Sequence, residues 1–306
     1  CLDVKDIESN ITSKTKAIVV VDIFGQPYDV DAINALAHKY DLKIIEDAAQ
    51  APSAKYKDKH AGTLGDIGVY SLNYHKHIHC GEGGIIVTDD DDLAFKLKLI
   101  RNHAEAVINA KGYKDKEELV NMVGFNYRMT EIEAAITREQ LKKLPFLIKI
   151  RIENVEYLNG KLSLLPPIKV PKIRKDATHS YYVHPLTFDS KKAKGVHRDT
   201  FINAVKAELP NTILRDDSDV LMGCGYVKPL YLQPMFQEKI AFGKDGYPFN
   251  ISNNTNYSEG ICPITEGLHY HKLFTHELMR PGMTKNDLDD VVSAFKKVWE
   301  NRGELL

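Results

Sequence analysis

The sequence predicts an α/β fold in which a mainly parallel sheet forms a large N-terminal domain and a smaller α+β domain follows it. Short, continuously apolar runs alternate with amphipathic helical segments in the first half of the chain, which is typical of βαβ units. In the second half the pattern changes to short strands and proline-rich turns. Because 306 residues exceed the size of most single hydrophobic cores, we predict two domains, residues 1–145 and 146–306.

A βαβ unit is the first predicted part of the large domain. The run 17–21 is apolar throughout and rich in β-branched residues, which predicts a strand that is buried on both faces. A helix is predicted from Asp31 to Tyr40, because its apolar residues recur at helical spacing. The run 43–47 forms the next strand and ends in Asp47. Ligands bind at the carboxyl ends of strands in such sheets, so Asp47 lies where a site is expected.

The remaining elements of the large domain continue this pattern. Strands are predicted over 67–72 and 84–88, and a helix over 93–102. A long helix begins at Thr130-Glu-Ile-Glu133, which has the spacing of a capping box and is followed by an apolar face. Pro145 lies within this helix and is expected to kink it.

The smaller domain is less regular. Alternation over 181–187 predicts a strand, and helical spacing predicts a helix over 201–207. The segment 216–281 is rich in Gly, Pro, Asn and Tyr without clear periodicity, so we predict irregular structure there. A second capping box, Thr284 with Asp287, opens a final helix that has a continuous apolar face.

Composition argues against several classes of function. The 41 basic residues are balanced by 42 acidic ones without a basic block, so nucleic-acid binding is not expected. The apolar runs are too short to cross a bilayer. The four cysteines lack CxxC spacing and fit a reducing compartment, so we expect a cytoplasmic protein. The sequence opens on Cys1 without a leader, and we expect that it was cut from a longer one.

Asp47 and Lys76 carry the chemistry that the sequence indicates most clearly. Lys76 follows the next strand along the chain, and Ser71 precedes it by five positions. A carboxylate can keep the pyridine nitrogen of pyridoxal phosphate (PLP) protonated, a lysine can bond to its carbonyl carbon, and a serine can bind a phosphate oxygen. Gln50 adds an amide that could meet the phenolate oxygen of the cofactor. Ordinary alternatives exist, because a lone Asp commonly caps a turn and most lysines are solvated.

A cluster of histidines supports a rival interpretation. His75, His77 and His79 alternate, so on a strand they would share one face and could bind zinc together with Cys80. The glycines that follow indicate a turn rather than a continued strand. A zinc-binding protein is therefore kept as an alternative, while the main interpretation predicts no metal.

Three motifs in order resemble the DegT/DnrJ/EryC1/StrS family of sugar aminotransferases. They are IEDAAQA (45–51), SLNYHKHIHCGEGG (71–84) and GFNYRMTEIEAA (124–135). The resemblance covers most of residues 1–150 and extends more loosely to the end. It implies a fold-type I PLP-dependent enzyme that transfers an amino group, usually from glutamate, to a keto sugar linked to a nucleoside diphosphate.

The resemblance also implies a role for each site residue. Lys76 would bond to the cofactor and later move a proton, and Asp47 would pair with the pyridinium nitrogen. Gln50 would face the hydroxyl side of the ring, and Ser71 would bind the phosphate. Asn126 would reach the phosphate in the neighbouring subunit, which implies a homodimer. Lys76 argues against the dehydratases of this family, in which histidine replaces the lysine.

An N-terminal segment of the family has no match in this sequence. Family members carry a Gly-Thr phosphate loop and an aromatic residue that stacks on the pyridine ring before the point where this sequence begins. We expect either that the sequence is part of a longer protein or that its PLP binding is weakened. A non-catalytic remnant of the family is kept as an alternative. The sequence assigns no role to His179 or Tyr181, and it does not identify the sugar.

Overall fold

The chain forms two compact units. The computed structural model describes residues 2–104, 122–214, 217–251 and 255–306. The first unit comprises Cys1–Ile152 and Ile173–Tyr182, and the second comprises Glu153–Lys172 and Val183–Leu306.

The division between the units falls inside a long helix, and the boundary predicted at 145/146 lies in the same helix. The segment 173–182, which the sequence placed in the smaller domain, belongs to the first unit. The backbone explains this return, because the N–H groups of Ser180 and Tyr182 donate to the carbonyl oxygens of Gly25 and Phe24, each at 2.8 Å.

The first unit is built around a mainly parallel sheet. Its strands are β1 (Ala17–Val21), β2 (Lys43–Asp47), β3 (Lys55–Tyr56), β4 (Lys59–His60), β5 (Ile67–Ser71) and β6 (Gly84–Val87). Its helices are α1 (Val4–Asn10), α2 (Val30–Lys39), α3 (Asp91–Arg101) and the first part of α4 (Glu131–Leu162). In the described residues the main sheet has the order β1-β2-β5-β6, with β1, β2 and β5 parallel and β6 antiparallel. The predicted α/β architecture is confirmed.

One hydrophobic cluster of this unit lies against one face of β1. Ile18 and Val20 are buried and pack with α2 residues such as Ile33. Val19 and Val21 are exposed, so the prediction that β1 is buried on both faces was wrong for this chain. The reason is that β1 is an edge strand of the described sheet and contributes only alternate residues to the core.

α4 begins as the capping box predicted. The N–H of Thr130 donates to Glu133 Oε2 at 2.8 Å, and the N–H of Glu133 donates to Thr130 Oγ1 at 3.2 Å. The helix continues through Pro145 as one element. Neither α4 nor any other helix of the described residues is long and apolar enough to cross a membrane.

The second unit combines an antiparallel sheet with helices. Its strands are β7 (Ile168–Lys169), β8 (His184–Phe188), β9 (Thr212–Leu214), β10 (Asp217–Asp219), β11 (Met222–Cys224) and β12 (Leu273–His276). Its helices are the end of α4, α5 (Arg198–Ala207), α6 (Pro234–Glu238), α7 (Pro263–Gly267) and α8 (Lys285–Glu300). The sheet order is β11-β12-β8-β7 in the described part of the chain. Phe295 of α8 packs on Phe201 and Phe274, and Thr284 and Asp287 cap α8 as predicted.

The prediction of irregular structure over 216–281 was partly wrong. β11 and β12 lie in this segment, and β12 pairs with both β11 and β8. These runs of three or four residues are too short for periodicity to identify them. Residues 216 and 252–254 lie outside the described residues.

Candidate active site

Two predicted site residues lie at the carboxyl edge of the parallel strands. Asp47 ends β2 and Ser71 ends β5, and the register of these neighbours places Asp47 opposite Val69. The N–H of Ala48 donates to the carbonyl oxygen of Val69 at 2.9 Å, so the pairing extends past the end of β2. Asp47 Oδ1 accepts a hydrogen bond of 3.0 Å from the N–H of Ala49, so this carboxylate also caps the following turn.

Lys76 lies in the loop between β5 and β6. The N–H of Lys76 donates to the carbonyl oxygen of Asn73 at 2.9 Å, which forms a turn at the start of the loop. Its half-buried side chain has a lowered pKa because of burial, while the negative charge of Asp47 acts in the opposite direction. The carboxylate and the amine therefore lie within electrostatic reach of each other. An amine with a lowered pKa is more often deprotonated at neutral pH, as a nucleophile requires.

Gln50 connects the strand edge to a strained residue. Its Oε1 accepts a hydrogen bond of 2.7 Å from the N–H of Phe24, and its carbonyl oxygen accepts one of 3.2 Å from Ser180 Oγ. Phe24 has a φ of 63°, a left-handed conformation that is costly for a bulky residue. Such strain persists where the surroundings impose it, and here the Gln50 side chain contributes to that constraint.

Ser71 and Asn126 lie in different settings. Ser71 Oγ accepts a long hydrogen bond of 3.3 Å from the N–H of Asn73, which turns the hydroxyl toward the start of the Lys76 loop. Asn126 is exposed and forms an isolated antiparallel bridge with Asn102. The single chain therefore gathers Asp47, Ser71 and Lys76 at the strand ends and holds Asn126 in a separate bridge.

Sequence reasoning missed Tyr182. The Nζ of Lys76 lies over the face of the Tyr182 ring, 4.7 Å from its centroid. The two residues are far apart in the chain, so no local pattern relates them. One usable signal is the glycine that follows β1. A Cβ on Gly25 would come within 2.5 Å of Ser180 Oγ, so the close approach of the Tyr182 segment requires glycine there.

The buried histidines near the site are neutral and bonded to backbone. His77 Nε2 lies 3.0 Å from the carbonyl oxygen of Ser180, and burial lowers the pKa of His77 to about 3. His179 Nδ1 accepts from the N–H of Tyr181 at 2.9 Å, and burial also lowers the pKa of His179 to about 3.

The arrangement of these side chains does not favour the zinc interpretation. His77 is buried whereas His79 is exposed, and the loop between β5 and β6 is not a continued strand, so the three histidines do not share one face. Within the described residues there is no group of three or more His, Cys, Asp or Glu side chains that could hold a metal ion.

Asp22 and Glu46 form a fully buried acidic pair next to Asp47. Glu46 precedes Asp47 on β2, and the N–H of Asp22 donates to the carbonyl oxygen of Asp47 at 3.0 Å. Asp22 Oδ1 accepts from the N–H of Tyr28 at 2.8 Å, and Glu46 Oε2 accepts from the N–H of Leu64 at 2.9 Å. Burial, followed by the charge and hydrogen bond of Glu46, raises the pKa of Asp22 to about 9. Asp22 therefore keeps its proton at neutral pH, and no local sequence pattern indicates this contact.

Comparisons with known proteins decide the family. The profile of the DegT/DnrJ/EryC1/StrS aminotransferase family matches residues 1–296. The chain belongs to this family. It is 33% identical to an uncharacterized protein of Methanocaldococcus jannaschii, with 98% of this chain and 72% of that protein covered. It is 27% identical to the spore coat polysaccharide biosynthesis protein SpsC of Bacillus subtilis, with 97% and 70% covered. The crystal structure of an aminotransferase from Psychrobacter cryohalolentis matches with a TM-score of 0.78 and 29% identity, covering 97% and 72%.

The family match and the similarity to a solved aminotransferase identify the protein as a fold-type I, PLP-dependent sugar aminotransferase of the DegT family. The residues at the strand ends fit this cofactor. Lys76 offers a half-buried amine with a lowered pKa, Asp47 offers a carboxylate within reach of that amine, and Ser71 offers a hydroxyl on the neighbouring strand. When bound, PLP supplies an electron sink that stabilises negative charge on the substrate carbon.

Proposed function

We propose that this DegT-family protein transfers an amino group from glutamate to a keto sugar linked to a nucleoside diphosphate, in the synthesis of polysaccharides or deoxyaminosugars. The observation that carries this proposal is the position of Asp47 and Ser71 at the ends of the neighbouring strands β2 and β5, with Lys76 in the loop that follows β5. The name of the Bacillus subtilis relative, a spore coat polysaccharide biosynthesis protein, supports the sugar substrate.

Each strand-end residue has a distinct part in this proposal. Lys76 would hold the cofactor through its amine and would carry a proton at the substrate carbon when the amine is free. Asp47 would keep the pyridine nitrogen protonated. Its carboxylate is half-buried, so water screens its negative charge only partly. Ser71 binds a phosphate oxygen, and Gln50 borders the hydroxyl side of the ring.

Lys76→Ala is expected to remove the covalent link to PLP. The full-length protein with PLP should show a visible absorption band, and borohydride should fix the pyridoxyl group on the peptide that contains Lys76. The variant should lose both the band and the labelled peptide, because alanine has no amine that can bond to the cofactor.

Lys39→Ala is the matched control for this experiment. Lys39 is an exposed lysine of the same unit that pairs with Glu8 at 2.7 Å, and its removal should leave the band unchanged. A wild-type protein without a band would contradict the proposed PLP site and favour the non-catalytic alternative. A band that persists in Lys76→Ala would refute the assignment of Lys76.

We further propose that the protein is a homodimer in which Asn126 reaches the PLP phosphate of the partner. Several large apolar side chains are exposed, some beside Asn126 in the sequence and others on the first part of α4, and exposed apolar side chains are common at protein interfaces. They are Val123, Phe125, Tyr127, Ile132, Ile136, Leu141 and Phe146. Phe125 and Tyr127 stack with their centroids 5.0 Å apart, so two of these exposed rings form a pair.

Ile132→Asp is expected to weaken this dimer about thirtyfold or more, because a charge at the centre of an apolar interface costs about 2 kcal/mol. Sedimentation of the variant should show monomers at concentrations where the wild type is dimeric. PLP should also dissociate more readily from these monomers, since each has lost the Asn126 of its partner. Ile264→Asp changes a similarly exposed isoleucine of the second unit and should change neither property. A monomeric wild type would contradict the proposal.

The proposed location is the cytoplasm. Cys80, Cys224 and Cys262 are free thiols, which is the usual state of cysteines in a reducing compartment. Fractionation of cells that produce the tagged protein would test this location.

A further inference from the structure

The contact between Lys76 and Tyr182 differs from the other lysine contacts with tyrosine rings in the first unit. Lys39 over Tyr40 and Lys57 over Tyr56 join neighbours in sequence, and both of these lysines are exposed. Lys76 and Tyr182 come from distant parts of the chain, and both are half-buried. The attraction between an ammonium and a ring face is stronger where water is partly excluded.

Hydrogen bonds to the backbone hold the segment that carries the Tyr182 ring. The N–H of Tyr182 donates to the carbonyl oxygen of Phe24 at 2.8 Å, and Arg151 Nη1 donates to the carbonyl oxygen of Tyr181 at 3.0 Å. Phe24 and Tyr181 have φ values of 63° and 49°, and backbone strain of this kind is often found at functional sites. Both strained residues therefore lie beside Tyr182: Phe24 accepts its backbone hydrogen bond, and Tyr181 precedes it in the chain.

The surroundings of the ring suit an ammonium group. The ring of His77 lies 5.9 Å from the Tyr182 ring, and this histidine is buried and neutral, so it adds no positive charge beside the amine. Asp47 supplies the nearby negative charge. The attraction of the Tyr182 ring face thus partly offsets the hydration that the Lys76 ammonium loses on burial.

We propose that Tyr182 is a further positioning residue of this site, whose ring holds the Lys76 ammonium whenever the amine is not bonded to another group. The ring keeps the released amine beside the strand ends, where it can move a proton, instead of letting it turn toward solvent. The proposal rests on the proposed role of Lys76, and it adds a residue that the three sequence motifs do not contain.

The test is the pH dependence of Lys76 acetylation by acetic anhydride in the PLP-free, full-length protein, followed by mass spectrometry. Tyr182→Leu should move the midpoint for Lys76 down by about half to one pH unit, because the ammonium loses its ring. Tyr182→Phe keeps the ring face and should leave the midpoint close to that of the wild type. Lys39 is read in the same samples and should not change. An unchanged midpoint in Tyr182→Leu, or an equal shift in Tyr182→Phe, would overturn the proposal.

A second measurement needs no variant of Tyr182. After reductive methylation with ¹³C-formaldehyde, the methyl signal of Lys76 should be shifted upfield by the ring current, with Lys76→Arg used to assign it. A signal at the ordinary position of a solvated dimethyl-lysine would refute the contact even if Tyr182→Leu does not fold. Both measurements are made without PLP, so they can succeed or fail independently of the absorption band that tests the proposed function.

Discussion

Replacing Asp47 by alanine is expected to lower kcat about a hundred- to thousandfold while the protein stays folded. In the proposed site the carboxylate keeps the pyridine nitrogen protonated, and removal of one preorganised electrostatic partner costs about this much. The structural loss is smaller, because the hydrogen bond that the N–H of Ala49 donates to Asp47 Oδ1 is a turn cap worth about 1 kcal/mol. Steady-state kinetics with saturating PLP and a purified nucleotide-sugar substrate would measure the effect.

Two further variants separate charge from folding in this experiment. Asp47→Asn keeps an oxygen that can cap the turn but has no charge, so its kcat should fall as in Asp47→Ala. Asp31→Ala removes an exposed carboxylate that pairs with Lys57 at 2.6 Å, and its kcat should be unchanged. Near-normal kcat in Asp47→Asn would refute the assigned role.

Asp47→Ala and Asp47→Asn should also change the pH at which Lys76 titrates. The charge of Asp47 raises the pKa of Lys76 against the larger effect of burial. Without that charge the lysine should titrate at a lower pH, which acetylation in the PLP-free protein can measure. A titration that does not move in Asp47→Asn would mean that the two groups are not coupled.

Much of the fold follows from local sequence because its elements are strongly patterned. The strand predicted over 17–21 and the capping box of the final helix agree with the structure, since apolar runs and capping spacings are local properties. β12 was missed because four residues carry too little pattern. The exposure of Val19 could not be predicted either, because it depends on which strand lies at the edge of the sheet.

The residues of the site also fall into those that the sequence predicts and those that it does not. Asp47, Ser71 and Lys76 could be proposed because each follows or ends a strand that is visible in the sequence. Tyr182 and the pair of Asp22 with Glu46 could not, since each depends on a contact between distant parts of the chain. Tertiary contacts of this kind leave no periodicity, and only the glycine at position 25 hinted at one of them.

Asp22→Asn is expected to make the protein more stable at alkaline pH and to remove much of the pH dependence of its unfolding free energy. The folded-state pKa of Asp22 is raised from the unfolded value of 3.8 to about 9 by burial and by Glu46. Between these values the folded protein holds a proton that the unfolded chain releases, so stability is lost as the pH rises. The expected slope is about 1 kcal/mol per pH unit between about pH 5 and 8.

Asparagine removes this pH dependence because its side chain has nearly the shape of a protonated aspartate and stays uncharged throughout this pH range. Its Oδ1 can accept the N–H of Tyr28, and its Nδ2 can donate to Glu46 Oε1, which is otherwise buried without a backbone donor. Urea unfolding of the wild type and the variant at pH 5, 6.5 and 8 would measure the difference, with pH values chosen inside the window given by the folded and unfolded pKa.

Asp66→Asn is the control, and its expected effect on the unfolding free energy has the opposite sign to that of Asp22→Asn. Burial tends to raise the pKa of Asp66, but hydrogen bonds from the N–H of Ile44 and from Lys43 hold the pKa below its usual value. Its charge therefore stabilises the fold throughout this pH range, and the variant should be destabilised equally at pH 5 and 8. A wild-type slope that survives in Asp22→Asn would show that the acidic pair does not share a proton. In that case its two buried carboxylates must be compensated in another way.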